Sequence, residues 1–346
     1  MRRLLLLILV LVNFTIPVQA IELTVPEVPI SASDFMPPEP GNLQEGILYV
    51  LKAALSRLRP DLKEAAGICI GIFCAVAISS IIRPVNSRME KVTDLTTTVA
   101  VVTMFLSSAG ALINMGAATV TEVSEYGKLL LPVLGTALAA QGGISTSAAL
   151  YTATGLFDAV LSSLISNILL PMVYIFLALS AANGATGEDL LKKLRDFVKW
   201  AMTWILKITL YVFTGFISIT GVVSGPTDAA ALKAAKLTIS GMVPVIGGIL
   251  SDASEAVLVS AGTVKNSIGL YGMFAVLALW ISPFLRIGTH YIMLRMTGGV
   301  CSIFSGKRIS ELIQDLASSM GFLLAMTGSV CVMILISTVC FMRGVS

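Results

Sequence analysis

Four ionisable residues stand inside long apolar stretches of this chain: Asp158, Asp252, Glu255 and Lys265. A charge in hydrocarbon is costly unless it pairs or faces water, so such residues mark ion, proton or substrate paths in membrane proteins. Asp252 and Glu255, three positions apart, share one face of a helix. Two readings are open: the four groups line a polar route, or they sit in outer-face water and pair internally. Around them lie Pro132, Gly135, Pro244, Gly247 and Asn266, residue types that break, bend or polarise a membrane helix.

Other chemistry has little to work with. His290 is the only histidine, which removes His-based metal clusters, and it is expected to be an interfacial side chain. Cys69, Cys74, Cys301, Cys331 and Cys340 lie in apolar segments without CxxC spacing, as thiols facing lipid or core do. Gly306-Lys307 is no phosphate loop, because position 301 is Cys and Arg308 follows the lysine. No HExxH, GxSxG or GxGxxG stretch occurs. Serines and threonines in such segments commonly bond backbone or neighbouring helices. No catalytic residue, metal or cofactor is expected.

The elements that must position the four charges follow from composition. The chain is 56% hydrophobic, 12% charged and has a mean hydropathy of +0.90, which makes it an all-α polytopic membrane protein. Its net charge of +3 is spread over short loops, so no nucleic-acid partner is expected.

Residues 1–20 carry Arg2, Arg3, an apolar core and Val18-Gln19-Ala20, the pattern of a secretory leader; an uncleaved anchor would place the following residues outside equally well. Residues 21–64 hold an extended Pro-rich linker and an amphipathic helix, Leu43–Leu62, with Ile47, Leu51, Leu55, Leu58 and Leu62 at helical spacing. That helix is suited to the membrane surface, to an outside partner, or to the protein's own outer face. Residues 65–94 form the first span, Ala65–Ile82, and a cytoplasmic loop with Arg83, Arg88 and Lys91. Leu95–Ile113 returns outward to a polar bend at Glu122, Glu125 and Lys128.

From Leu129 to Ala182 there are about 54 residues, too few for three spans of about 20. The loop at 188–200, with Lys192, Lys193, Arg195 and Lys199, is cytoplasmic by the positive-inside rule. An odd number of crossings is therefore required. A non-crossing hairpin, Leu129–Ser166, and one span, Asn167–Ala182, satisfy both constraints.

A weak internal likeness supports this arrangement. Pro132-Val133-Leu134-Gly135 resembles Pro244-Val245-Ile246-Gly247 at an offset of 244 − 132 = 112, and Pro171 stands at the same offset from Pro283. The expectation is two parallel repeats, 95–187 and 201–290, each with a re-entrant or broken-helix hairpin. In the second, Ala201–Val223 goes out and Gly269–Gly288 returns. Residues 291–346 then supply an inner-surface amphipathic helix, Ser305–Ser318, and a last span, Met320–Phe341.

Along the chain, Asn167-Ile168-Leu169-Leu170-Pro171, Leu179-Ser180-Ala181-Ala182-Asn183, Val243-Pro244-Val245-Ile246-Gly247, Leu250-Ser251-Asp252-Ala253 and Lys265-Asn266 resemble the stage III sporulation protein AE family. The resemblance covers about Leu43–Ser337. It implies an integral subunit, in the mother-cell-derived outer forespore membrane, of a channel- or export-like apparatus linking mother cell and forespore. The implied partners are the other stage III A proteins, including their ATPase, and, indirectly, stage II sporulation protein Q on the forespore side, besides the lipid bilayer and further copies of the chain as a homo-oligomer. The implied role sustains late forespore gene expression, including sigma factor G activity. No catalytic residue and no transported substrate follow from it. A secondary transporter with its site at the two hairpins is the alternative for the same features; an intramembrane enzyme is a third.

Overall fold

A computed structural model describes residues 25–38, 43–82, 87–242 and 247–343, with 87–91 and 218–261 described as backbone only. The leader and Pro244 lie outside the described residues, as do the side chains of Asp252 and Glu255, and Gly247 is described by its backbone alone. Every regular element described is helical. In lipid each backbone N–H and C=O must be satisfied within its own segment, and helices do this without an edge.

The helices are α1 (Ile30–Ser33), α2 (Leu43–Ser56), α3 (Leu58–Ile82), α4 (Ser87–Ala140), α5 (Ile144–Leu164), α6 (Leu170–Thr186), α7 (Asp189–Met242), α8 (Gly247–Cys301) and α9 (Lys307–Arg343). A π-helical turn, Ile165–Leu169, joins α5 to α6. Six stretches are long and apolar enough to cross a membrane: Leu58–Ile82, Val92–Ala140, Ile144–Thr186, Asp189–Ile217, Gly262–Cys301 and Lys307–Arg343. Each of the six expected spans overlaps one of them.

The helices run well past the expected spans. α4 and α7 each have 54 residues and are about 80 Å long, against a hydrocarbon layer of about 30 Å. The expected polar bend at Glu122–Lys128 lies within α4, and Pro132 is also inside that helix. The first hairpin therefore has arms continuous with its flanking spans, and it turns only at Gln141-Gly142-Gly143. Gly142 has φ of 99° there, a left-handed conformation that glycine adopts without a Cβ clash.

The break in this unit comes on the returning arm. Pro171 stands at the start of α6 and lacks an N–H. Just before it the chain widens, and the Leu170 N–H donates to the Ile165 carbonyl five residues back. Pro283, by contrast, lies inside α8. α4 and α7 begin 189 − 87 = 102 residues apart, which differs from the 112 of the proline pairs.

α9 is the axis of the bundle and packs against α4, α5, α6, α7 and α8. Gly116, Gly127 and Gly135 of α4 face Leu323, Ile334 and Phe341, so α4 runs parallel to α9. Gly298 and Gly269 of α8 face Ile313 and Met342, so α8 runs antiparallel. Small residues at these crossings let the backbones approach closely. The segment Ser305–Ser318 is not a separate surface helix, since from Lys307 it is the first part of α9, with Ile309, Leu312, Ile313 and Leu316 buried.

The outer segments are docked as well. Ala32 and Phe35 of the expected extended linker are buried, and Arg57 sits 5.0 Å above the Phe35 ring while bonding Asp34 at 2.9 Å. α2 lies on α8 through Gly46, Val50 and Ala54. The expected apolar stripe Ile47, Leu51, Leu55 and Leu62 faces outward instead, because the small residues permit the closer contact.

Candidate functional site

The polar groups of this bundle are turned inward. On α5, Thr146, Ser147, Thr154 and Asp158 are buried, while Ile144, Tyr151, Leu156 and Val160 are exposed. A helix takes this arrangement when its surroundings are less polar than its neighbours. Asp158 is 2% exposed, and its Oδ2 accepts a hydrogen bond from Ser124 Oγ of α4 at 2.5 Å. Its Oδ1 has no protein partner among the described residues. One turn earlier Thr154 Oγ1 donates to Ser337 Oγ of α9 at 2.9 Å, and nearer the tip Ser147 Oγ donates to the Gly135 carbonyl at 2.6 Å. α5 is thus fastened to α4 twice and to α9 once.

Lys265 is 2% exposed, and its Nζ donates to Gln141 Oε1 at 2.5 Å, tying α8 to the tip of the first hairpin. Asn266 beside it is exposed. Asp158 and Lys265 thus hold different partners. Pro132 and Gly135 stand within α4.

A second set of charges lies toward the other end of the bundle. Lys192, Arg195 and Lys199 recur at three- and four-residue steps on α7, and Glu311, Asp315 and Ser318 do the same on α9. The two stripes meet: Lys192 Nζ lies 3.1 Å from Glu311 Oε1, Arg195 Nη1 2.7 Å from Asp315 Oδ2, and Lys199 Nζ 3.3 Å from Ser318 Oγ. The Arg195 and Asp315 side chains are only 6% and 9% exposed. Arg195 also reaches Asp196 at 2.9 Å and Glu311 at 3.8 Å. The opposite face of α7 presents Leu190, Leu194, Phe197, Trp200 and Trp204 outward.

A third contact joins α8 to α3, where Arg286 bridges Asp61 at 3.4 Å and Glu64 at 3.2 Å. His290, expected at an interface, is instead buried on α8 with Nδ1 3.0 Å from the Arg286 carbonyl oxygen. All five cysteines are free thiols, and Cys69, Cys301 and Cys331 are buried. Among the described residues no three of His, Cys, Asp and Glu converge on a point where a metal would fit. Most of the inward charges and hydroxyls hold helices together, and the Thr154–Ser337, Lys265–Gln141, Arg195–Asp315 and Arg286–Glu64 contacts join elements distant in sequence.

The family model for stage III sporulation protein AE matches residues 38–344, nearly the whole bundle. The chain belongs to that family. A Bacillus subtilis (strain 168) protein described as stage III sporulation protein AE is 23% identical over 253 residues, covering 73% of this chain and 63% of that protein. The match therefore spans less than two thirds of the relative's length. No solved structure matches. The chain is a multi-pass membrane protein of a sporulation family, and that family is not a known enzyme family.

Within this family member, the α7–α9 ionic seam is what sequence reading misses. Lys192, Arg195 and Lys199 are read as a cytoplasmic loop, and Glu311 and Asp315 as the wet face of a surface helix. Both expectations weigh each segment alone. The available signal is complementarity, a basic stripe and an acidic stripe at the same helical spacing.

Proposed function

We propose that this chain is a non-enzymatic subunit of a channel- or export-like membrane assembly joining mother cell and forespore, needed for late forespore gene expression. The observation that carries the reading is the family match over 38–344, which takes in all six membrane-length helices. The pairing of Asp158 with Ser124 and of Lys265 with Gln141 supports it, because charges spent on joining helices suit a packed scaffold subunit. On this reading the other stage III A proteins, including the ATPase subunit, are its neighbours. Stage II sporulation protein Q acts indirectly from the forespore side, and the chain resides in the outer forespore membrane. The two long hairpins act as parallel repeats, each reaching beyond the bilayer toward those partners.

Affinity purification of the tagged full chain from sporulating cells tests this. The expected result is co-recovery of the other stage III A proteins, together with loss of a sigma factor G-dependent reporter when the chain is deleted. Recovery of no sporulation membrane protein refutes the reading. So does saturable, ion-coupled uptake of a small solute by the chain alone in liposomes, which would make it a secondary transporter.

A further inference from the structure

We propose that the cleft between α7, α8 and α9 binds the phosphate of an anionic membrane lipid, with an acyl chain laid along its apolar wall. The cleft has a volume of about 360 Å³. Its polar lining includes three cations, Lys199, Lys207 and Arg295, with Thr203 and Ser318 between them, and no carboxylate. Leu206, Leu210, Phe322 and Ala325 give it an apolar side.

Lys207 and Arg295 lack the ion pairs that the neighbouring seam gives its own cations, while Lys199 shares the field of Asp315 with Arg195. Arg195 and Lys192 are matched by Asp315, Glu311 and Asp196. One turn further on, Lys199 has Ser318 Oγ at 3.3 Å, and Arg295 donates to Gln314 Oε1 at 2.9 Å while lying 5.8 Å over the Tyr291 ring. Lys207 makes no hydrogen bond or ion pair among the described residues. It stands inside a membrane-length helix, exposed between Trp204, Ile208 and Tyr211. A lysine flanked by exposed aromatic residues suits the membrane interface, where acidic head groups are the anions at hand.

The surroundings identify the anion as part of an amphiphile. Phosphate takes charge-assisted hydrogen bonds from Lys and Arg together, and basic pockets between membrane helices bind acidic head groups. Exposed Trp200, Trp204 and Tyr211 on α7 are residues that sit at head-group depth. A free inorganic anion would use the three cations but leave the leucine and phenylalanine wall unfilled.

The full chain in nanodiscs with equal phosphatidylglycerol and phosphatidylcholine, followed by native mass spectrometry of retained lipid, tests the assignment. Retained phosphatidylglycerol should exceed phosphatidylcholine, and Lys207→Gln and Arg295→Gln should each reduce that preference by roughly fivefold. Lys193→Gln, outside the cleft, should leave it unchanged, and Arg295→Lys should keep most of it, which separates loss of charge from loss of fold. Equal retention of both lipids overturns the proposal, as does a preference that survives the double variant Lys207→Gln/Arg295→Gln. Thermal protection by inorganic phosphate in neutral detergent, equal to that by phosphatidylglycerol and lost in the same variants, overturns the amphiphile and leaves a free-anion site.

Discussion

Replacing Arg195 by methionine is the sharpest test of how this bundle is held. The Arg195 and Asp315 side chains are 6% and 9% exposed and meet at 2.7 Å. Methionine leaves the Asp315 carboxylate buried, with Lys199 as the nearby cation. Breaking a buried ion pair from one side costs about 3–5 kcal/mol. The reverse change, Asp315→Asn, is milder, because Arg195 keeps Asp196 at 2.9 Å and Glu311 at 3.8 Å, so the loss is about 1–3 kcal/mol. The double variant Arg195→Met/Asp315→Leu removes both charges and should recover most of the stability, since apolar replacement of a whole buried pair is often neutral or favourable. Reversible unfolding of the purified protein by denaturing detergent in mixed micelles reads all three. A double variant as unstable as the sum of the two single variants would show that the seam does not fasten α7 to α9.

Three further outcomes follow from the packing. Gly46→Val should detach α2 from α8, because a Cβ there runs into the fully buried Phe274 ring; a loss of about 1–3 kcal/mol and new protease cleavage in Leu43–Ser56 are expected, with partial rescue by Phe274→Leu. Asp158→Asn keeps a group able to bond Ser124 and should leave spore formation near the parent level, whereas Asp158→Ala strands the Ser124 hydroxyl and should cost about 1–3 kcal/mol; a folded Asp158→Asn protein without spore formation would instead make the carboxylate part of a conduit. Gly187→Ala should destabilise by about 1–2 kcal/mol, since Gly187 caps α6 at φ of 72° under the Arg308 side chain, and Gly187→Asn should cost less in the same unfolding assay.

Much of this fold is legible in hydropathy, and the reason is physical. Crossing hydrocarbon requires about 20 apolar residues, and Ala65–Ile82, Leu95–Ile113 and Met320–Phe341 meet that requirement on their own. Hydropathy does not mark where a helix ends. Glu122, Glu125 and Lys128 interrupt the apolar run without interrupting α4, because a charged side chain leaves the backbone hydrogen bonds intact. Helix ends are set by backbone geometry at Gly142 and Gly187. Of the candidate site, Asp158 and Lys265 are legible as costly charges, but their partners Ser124 and Gln141 are not, since each lies far away in sequence and is ordinary in its own segment. The direction of α2 is hidden for a related reason. Its leucine stripe marks an amphipathic helix, yet Gly46, Val50 and Ala54 decide which face packs.

That α9 is the axis of the bundle has a consequence in time. Ribosomes add about 5–20 residues per second, and Asp315 follows Arg195 by 120 positions. The basic stripe of α7 therefore waits about 6–24 s for its acidic partner. Three earlier membrane-length segments are present when that interval begins and five when it ends, all without the helix they close upon, and the Ser337 partner of Thr154 arrives later still. Until the last helix enters, Asp196 is the carboxylate at hand for Arg195.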